Sequence, residues 1–460
     1  MERPIASLRV AVPLVLWWAV LIFGIGFVPA LRSRAIRNDF AVYYLSALEL
    51  RRGIDPYATD FAHLAPQTGL EIREVPRSTE PPTFLLLFEP LTHFEPSTAF
   101  WIWETINFVA LAGALALMLG PVSGLPGPLA WSLAPFAFVY PPVLSHFWYG
   151  QSKLPLLLML VVITRLMRRG FDGTAGLILA FAGLMRVYPF AIGGYLVLER
   201  RWRALIWMAV GTAVGALAAI AVVGPSTCLS FVRGLSFYVT NGQWITNAQG
   251  VSKSGDNAPL AFAMRFLHES GLTRSGVSGL AEHALLAAID MVLLSLTVRA
   301  TLLYPVDDHC DLRLFSLWVV TAIVLPPVSW DYDMTLVLLP FACIAVAASQ
   351  GTASRRAIVM AITSYALIVV WRFSGIGDAQ DVRGLAENTL KETASLALLA
   401  AYCAAYWLVS DSAMRQPIGL VEVPGGVWQR IFGVGDRMRP VRVGDVSSTS
   451  EGGRLVLELG

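Results

Sequence analysis

The chain has 460 residues, of which 56% are hydrophobic and 14% charged, and its mean hydropathy is +0.61. A soluble globular chain carries about 25% charged residues, so composition excludes a soluble enzyme and a protein held by a single anchor. With 34 basic and 32 acidic residues the net charge is +2, which argues against a nucleic-acid partner, since such partners require a basic face that displaces counterions.

At roughly 20 apolar residues per crossing, the composition predicts an all-α polytopic membrane protein with about a dozen transmembrane helices. The first run, 10–28, follows Arg3 and Arg9 and reads as an uncleaved anchor, because no small-x-small cleavage site ends it. Further runs lie at 97–119, 127–147, 151–168, 173–185, 188–198, 203–224, 283–304, 312–328, 333–349, 354–372 and 391–409. The stretch 83–92, broken by Glu89 and Pro90, is too short to cross and is expected to pack at the interface or re-enter. Arginines collect at 165–169, 200–203, 355–356 and 415–439, which the positive-inside rule places in the cytoplasm together with both termini. Two long loops, 29–96 and 225–282, then face outward. Residues 1–410 form the transmembrane domain, and 411–460, with the run Ser447–Ser450, form a weakly ordered cytoplasmic tail. Cys228, Cys310, Cys343 and Cys403 are scattered and have neither disulfide-framework nor metal-ligand spacing.

Most of the unusual polar residues fall on the outer side. Asp39 opens a helix-like segment, with apolar residues from Phe40 to Leu50 suited to the bilayer surface and Gly53 as its stop. It reads either as a helix N-cap or as a general base at the water–lipid boundary. His146-Phe-Trp-Tyr149-Gly150-Gln151-Ser-Lys153 reads as an interfacial turn, or as a site offering backbone approach, an amide and a cation. Arg186, in the turn Met185-Arg186-Val187-Tyr188-Pro189 between two short apolar arms, is costly in lipid and calls for an anionic ligand or acidic neighbour. Asn257 precedes Pro259 in the second loop. The stretch Ser329-Trp330-Asp331-Tyr332-Asp333 suits a sugar, a divalent cation or a plain helix cap. Asp290, inside a span, has no evident partner.

These residues resemble the GT-C glycosyltransferases of family 87. The likeness is carried by Asp39-Phe40 with Tyr43-Tyr44, Gly53-x-Asp55-Pro56-Tyr57, Pro81-Pro82-x-Phe84 with Pro90-Leu91, Tyr149-Gly150-Gln151, Arg186-x-Tyr188-Pro189, Asn257, and Ser329-Trp330-Asp331-Tyr332. Arg186 stands where that family commonly has Lys, and Tyr149 where it often has His. The resemblance implies a GT-C-like bundle in a bacterial inner membrane with its active site on the extracytoplasmic face. It further implies transfer of a sugar, mannose first, from a polyprenyl-phosphate donor to a hydroxyl of an envelope glycolipid or glycan.

In that scheme Asp39 is the base, and Arg186 and Lys153 hold the donor phosphate. Tyr43, Tyr57, Gln151, Tyr188, Asn257, Trp330 and Asp331 shape the sugar and acceptor pocket, and no metal or other cofactor is required. One base and in-line displacement imply inversion, by analogy with glycoside hydrolysis. A lipid-linked-sugar transporter or flippase is the alternative of a different class, and a metal-dependent transferase using Asp39 with Asp331 or Asp333 is a third.

Overall fold

The structure, a computed structural model, describes residues 2–34, 39–61, 64–70, 78–120, 125–241, 278–304, 312–326, 329–373 and 393–415. All belong to the first of two compact units, Met1–Arg415; the second, Gln416–Gly460, lies outside the described residues, and so does Asn257. Among the described residues the chain is helical, with no β-strand.

The helices are α1 Glu2–Arg34, α2 Asp39–Arg51, α3 Pro82–Phe88, α4 Pro96–Leu119, α5 Gly127–Phe138, α6 Pro141–Tyr149, α7 Lys153–Arg168, α8 Asp172–Met185, α9 Gly193–Leu198 and α10 Trp202–Val223. They continue as α11 Pro225–Asn241, α12 Ser278–Leu303, α13 Leu312–Val324, α14 Leu338–Ser349, α15 Arg355–Phe373 and α16 Thr393–Arg415. Among the described residues, 6 stretches are long and apolar enough to cross a membrane: Pro13–Leu31, Pro96–Leu119, Trp202–Val223, Asp331–Ser349, Arg355–Phe373 and Thr393–Asp411. Asp172–Met185, Tyr188–Leu198 and Leu312–Val324 are shorter apolar segments. This is a polytopic membrane protein.

Proline sets several of the departures from the expected spans. The run 127–147 is divided into α5 and α6 where Tyr140 precedes Pro141 and Pro142, because the residue before a proline is pushed out of the helical region. The arm 188–198 begins as a 3-10 turn, Tyr188–Ile192, around Pro189 before it becomes α9. The stretch 83–92 is α3 followed by the 3-10 turn Glu89–His93.

The helix opened by Asp39 does not lie on the bilayer surface with one face in lipid. Every residue of α2 from Phe40 to Glu49 is buried. From Phe40 to Leu48 it is apolar or aromatic except for Ser46, so it has no charged face to offer water, and a helix hydrophobic all round is a core helix. Phe40, Tyr43, Phe84, Phe88, Phe100 and Trp103 form an aromatic cluster about it, with ring centroids 5.0–5.8 Å apart for Phe40–Phe88, Phe40–Phe100, Tyr43–Phe84, Tyr43–Phe88 and Phe88–Trp103. Gly53, with φ +76°, follows its end, as the sequence predicts. A second, larger apolar core joins parts of α4, α7, α8 and α12–α16. Thus α2 is packed on all sides, and Asp39 is its first residue.

Candidate active site

The site begins with a backbone constraint after α6. Gly150 has φ +67°, and a Cβ there would stand 2.7 Å from Cβ of Phe40. Only glycine permits both this left-handed turn and this approach. Trp103 Nε1 donates to the Gly150 carbonyl at 2.8 Å, and Asn107 Nδ2 donates to the Gln151 carbonyl at 3.1 Å. His146 Nε2 accepts from the backbone N–H groups of Lys153 and Leu154 at 2.9 and 3.1 Å. It therefore caps α7, a helix start that leaves its first N–H groups without partners in the helix itself. The three side chains fix the peptide carrying Gln151 before its own side chain makes any contact.

That side chain is the centre of the site. Tyr43 donates its hydroxyl to Gln151 Oε1 at 2.7 Å, and Arg186 Nη2 donates to the same oxygen at 3.2 Å. With Oε1 committed to two donors, the amide nitrogen faces the other way and donates to Asp39 Oδ2. Tyr332 adds a hydroxyl donor to the Asp39 carboxylate. Burial pushes the Asp39 carboxyl up to about 6. The Gln151 bond opposes that rise, the charge of Glu80 adds to it, and Arg186 and Tyr332 oppose it. Asp39 is thus a carboxylate held in a fixed direction with a basicity well above an ordinary aspartate.

Arg186 ends α8 in extended backbone, at φ −146° and ψ +127°. Its guanidinium donates through Nε to Ser152 Oγ at 2.9 Å and through Nη1 to Glu80 Oε1 at 2.7 Å. Nη2 donates to the Tyr43 hydroxyl and to Gln151. Four of the five N–H groups of an arginine are then engaged by described residues. The rings of Tyr43 and Phe84 lie beneath it, at 5.6 and 5.7 Å. Lys153 Nζ pairs with Asp333 Oδ1 at 2.5 Å between the rings of Tyr188 (5.1 Å) and Tyr332 (5.7 Å). Asp333 Oδ2 also accepts from the Trp330 N–H at 2.9 Å, so the cap expected near the start of this segment is made by Asp333.

Of the residues singled out in the sequence, Asp39, Tyr43, Gln151, Lys153, Arg186 and Tyr188 are brought together. Trp330 joins through its stack on Tyr332, with centroids 6.3 Å apart, and Tyr149 faces Tyr332 at 5.9 Å. Tyr57 stands one step back, its hydroxyl donating to the Glu80 carbonyl at 2.6 Å. Asp331 is buried but turns toward Ser145 of α6, and its neighbour Asp333 is the acid that meets Lys153. Asn257 lies outside the described residues. Sequence reading missed Glu80, which is buried against Arg186. Its one signal was an acid immediately before Pro81-Pro82 in a chain poor in charge. Among the described residues no three acidic, His or Cys side chains converge on a point that could hold a metal ion.

Beside this polar cluster an apolar cleft of about 470 Å³ runs between α3, α4, α7 and α8, lined among others by Phe84, Trp103, Ile106, Leu158, Phe181 and Met185. A second, of about 380 Å³, adjoins it through Leu158, Met159 and Phe181. Phe84 and Met185 belong to the first cleft and also adjoin Arg186, in space and in sequence respectively.

The sequence pattern of Glycosyltransferase family 87 matches residues 79–329. The chain belongs to glycosyltransferase family 87. It is therefore a membrane glycosyltransferase, and the match contains Gln151, Lys153, Arg186 and Tyr188 but begins after Asp39 and ends before Trp330. No curated protein and no solved structure matches the chain.

Proposed function

We propose that this family 87 glycosyltransferase moves a sugar, mannose first among candidates, from a polyprenyl-phosphate donor to a hydroxyl of an envelope glycolipid or glycan on the extracytoplasmic face, with Asp39 as the base. The observation that carries this reading is the Asp39 carboxylate itself, aimed by Gln151 and Tyr332 and raised in basicity by burial. A general base works best with a pKa near the operating pH. In the reaction, Asp39 takes the acceptor O–H proton as that oxygen bonds to the anomeric carbon. The anomeric carbon–oxygen bond to phosphate breaks on the opposite face, and its electron pair leaves on the phosphate oxygen. Stereochemistry is inverted.

The donor phosphate is assigned to Arg186 and Lys153. Each already has a carboxylate partner, Glu80 and Asp333, so phosphate shares them, through the fifth N–H of Arg186 and the remaining donors of Lys153. Fixed cations of this kind stabilise charge that develops on a leaving group. The Trp330–Tyr332 stack offers aromatic faces to the C–H side of a sugar ring. The apolar clefts beside Phe84 and Met185 suit a chain of isoprene units, since filling them removes hydrocarbon from competing surroundings and adds close packing. The family membership favours transfer over transport as the use of this site.

The test uses purified protein in lipid, radiolabelled polyprenyl-phosphate mannose and a membrane-lipid extract. Transfer by wild type, with Asp39→Asn folded and at least 100-fold slower, is the expected result, because positioned bases contribute about 10²–10⁴-fold. Full activity in Asp39→Asn removes Asp39 as the base. Arg186→Ala should lose donor use, and an unchanged donor dependence there moves the phosphate site elsewhere.

A further inference from the structure

Arg186 carries more of this site than a phosphate contact, and what holds it is a residue with no assigned role. Glu80 is buried, 3% exposed, just before Pro81-Pro82 at the start of α3. Its Oε1 accepts from Arg186 Nη1 at 2.7 Å, while its Oε2 is buried without a hydrogen-bond partner. Its own carbonyl is held by the Tyr57 hydroxyl at 2.6 Å. From Arg186 the bonds run on through Nη2 to Tyr43 and Gln151, and from Gln151 to Asp39.

We propose that Glu80 is a positioning residue of this site, holding the Arg186 guanidinium where it orients Tyr43 and Gln151 toward Asp39. The reason is electrostatic. A buried guanidinium must face an anion, and truncating one partner of a buried pair leaves the other uncompensated. Glu80 supplies the carboxylate that Arg186 is hydrogen-bonded to. Without it, the guanidinium charge is left to the carboxylates it already acts on, Asp39 and Asp333, and its bonds to Tyr43 and Gln151 are no longer braced from the far side. An uncompensated cation near a carboxylate makes it a weaker base, and Arg186 already acts on Asp39 in that direction. The groups facing Asp39 are Gln151 and Tyr332 by hydrogen bond and Glu80 and Arg186 by charge; Tyr43 and the Lys153–Asp333 pair stand behind them. Removing the Glu80 charge also takes away one repulsion, so both consequences lower the basicity of Asp39.

The kinetic consequence rests on the reading of Asp39 as the base, but the structural one does not, and the experiment separates them. The Asp39 carboxyl is titrated by infrared difference spectroscopy on the full-length protein in lipid, without substrate, using Asp39→Asn to identify its band. Wild type is expected to titrate near 6. Glu80→Gln is expected to titrate at least about one pH unit lower, a tenfold change in proton affinity, and Glu80→Asp between the two. An unshifted band in folded Glu80→Gln overturns the proposal, whatever any transfer assay reports. In the transfer assay Glu80→Gln should lower kcat about tenfold, whatever change in donor KM accompanies the loosened Arg186, and should shift the acid limb of the pH profile in the direction of the infrared band. A KM rise with kcat intact would instead make Glu80 a binding residue and also overturns it. If Glu80→Gln does not fold, Glu80→Asp decides. Its retracted carboxylate should lower kcat and shift the band, and wild-type values for both refute the inference. Absence of transfer in every variant, wild type included, counts against the proposed donor and leaves the infrared result to stand alone.

Discussion

Asp39 is expensive to ionise in this fold, and that expense is visible in stability as well as in chemistry. Its carboxyl titrates near 6 when folded against an ordinary 3.8. Between those values the folded state holds a proton that the unfolded state has released, so stability falls as pH rises through the window and is flat on either side. Asp39→Asn removes the cost of burying the charge. The variant should therefore melt a few degrees above wild type at pH 8, with the difference shrinking to nothing below about pH 4. Thermal unfolding in one detergent across that range checks it, and a variant less stable than wild type at pH 8 contradicts the burial account. For activity the same titration places the acid limb of the rate near pH 6, with transfer falling tenfold per pH unit below it. Asp39 was legible in the sequence as either a helix N-cap or a base, and the likeness of Asp39-Phe40 with Tyr43-Tyr44 to the family pattern is what singled it out as the base. Glu80 was not, because an acid beside two prolines looks like a loop residue until Arg186, 106 positions later, is brought against it.

At the level of elements, the site depends on one turn and the helix it feeds. Gly150 lets α6 end in a left-handed residue pressed against Phe40, and His146 then caps α7. Gly150→Ala combines left-handed strain, on the order of 1 kcal/mol, with a clash against the backbone-borne Cβ of α2. We expect a loss of about 2–4 kcal/mol in unfolding free energy and a loss of transfer larger than instability explains, since Gln151 is displaced from Asp39. Chemical denaturation alongside the transfer assay tests both; a fully active, stable Gly150→Ala would show that the turn can move. The sequence marked this segment as a glycine beside an amide and a cation, but it could not show that the glycine serves the contact with α2.

For the molecule as a whole, the pattern of arginines predicts which side of the membrane each end of the bundle occupies. Phe171 is exposed in the Arg168–Asp172 turn, and Ala58 is exposed in the first long loop beside the site. With the four native cysteines replaced by alanine, Phe171→Cys should react with a membrane-impermeant maleimide only when the cytoplasmic face is open, and Ala58→Cys in intact cells. Labelling of both from the same side would overturn the orientation and place the site elsewhere. The lengths of the apolar segments bear on the same question. Among the described residues 6 are full-length, and Asp172–Met185 and Tyr188–Leu198 are short and meet at Arg186. Backbone broken in this way is tolerated at membrane depth only where protein or water surrounds it, which is the setting a buried cation needs.

Hydropathy and charge by themselves determined that the chain is a polytopic helical membrane protein, where most of its apolar segments begin and end, and which polar residues were out of place in it. These are local properties: a run of apolar side chains has nowhere to go but lipid or a core, and a proline ends a helix wherever it falls. Tertiary structure alone decided that α2 is a core helix, that Asp333 and not Asp331 meets Lys153, and that Glu80, Arg186, Tyr43, Gln151 and Asp39 form one connected chain of hydrogen bonds. Neighbouring acids such as Asp331 and Asp333 have the same composition and nearly the same place in sequence. Which one finds a cation depends on the direction of a side chain, and that direction is set by packing between segments far apart in the chain.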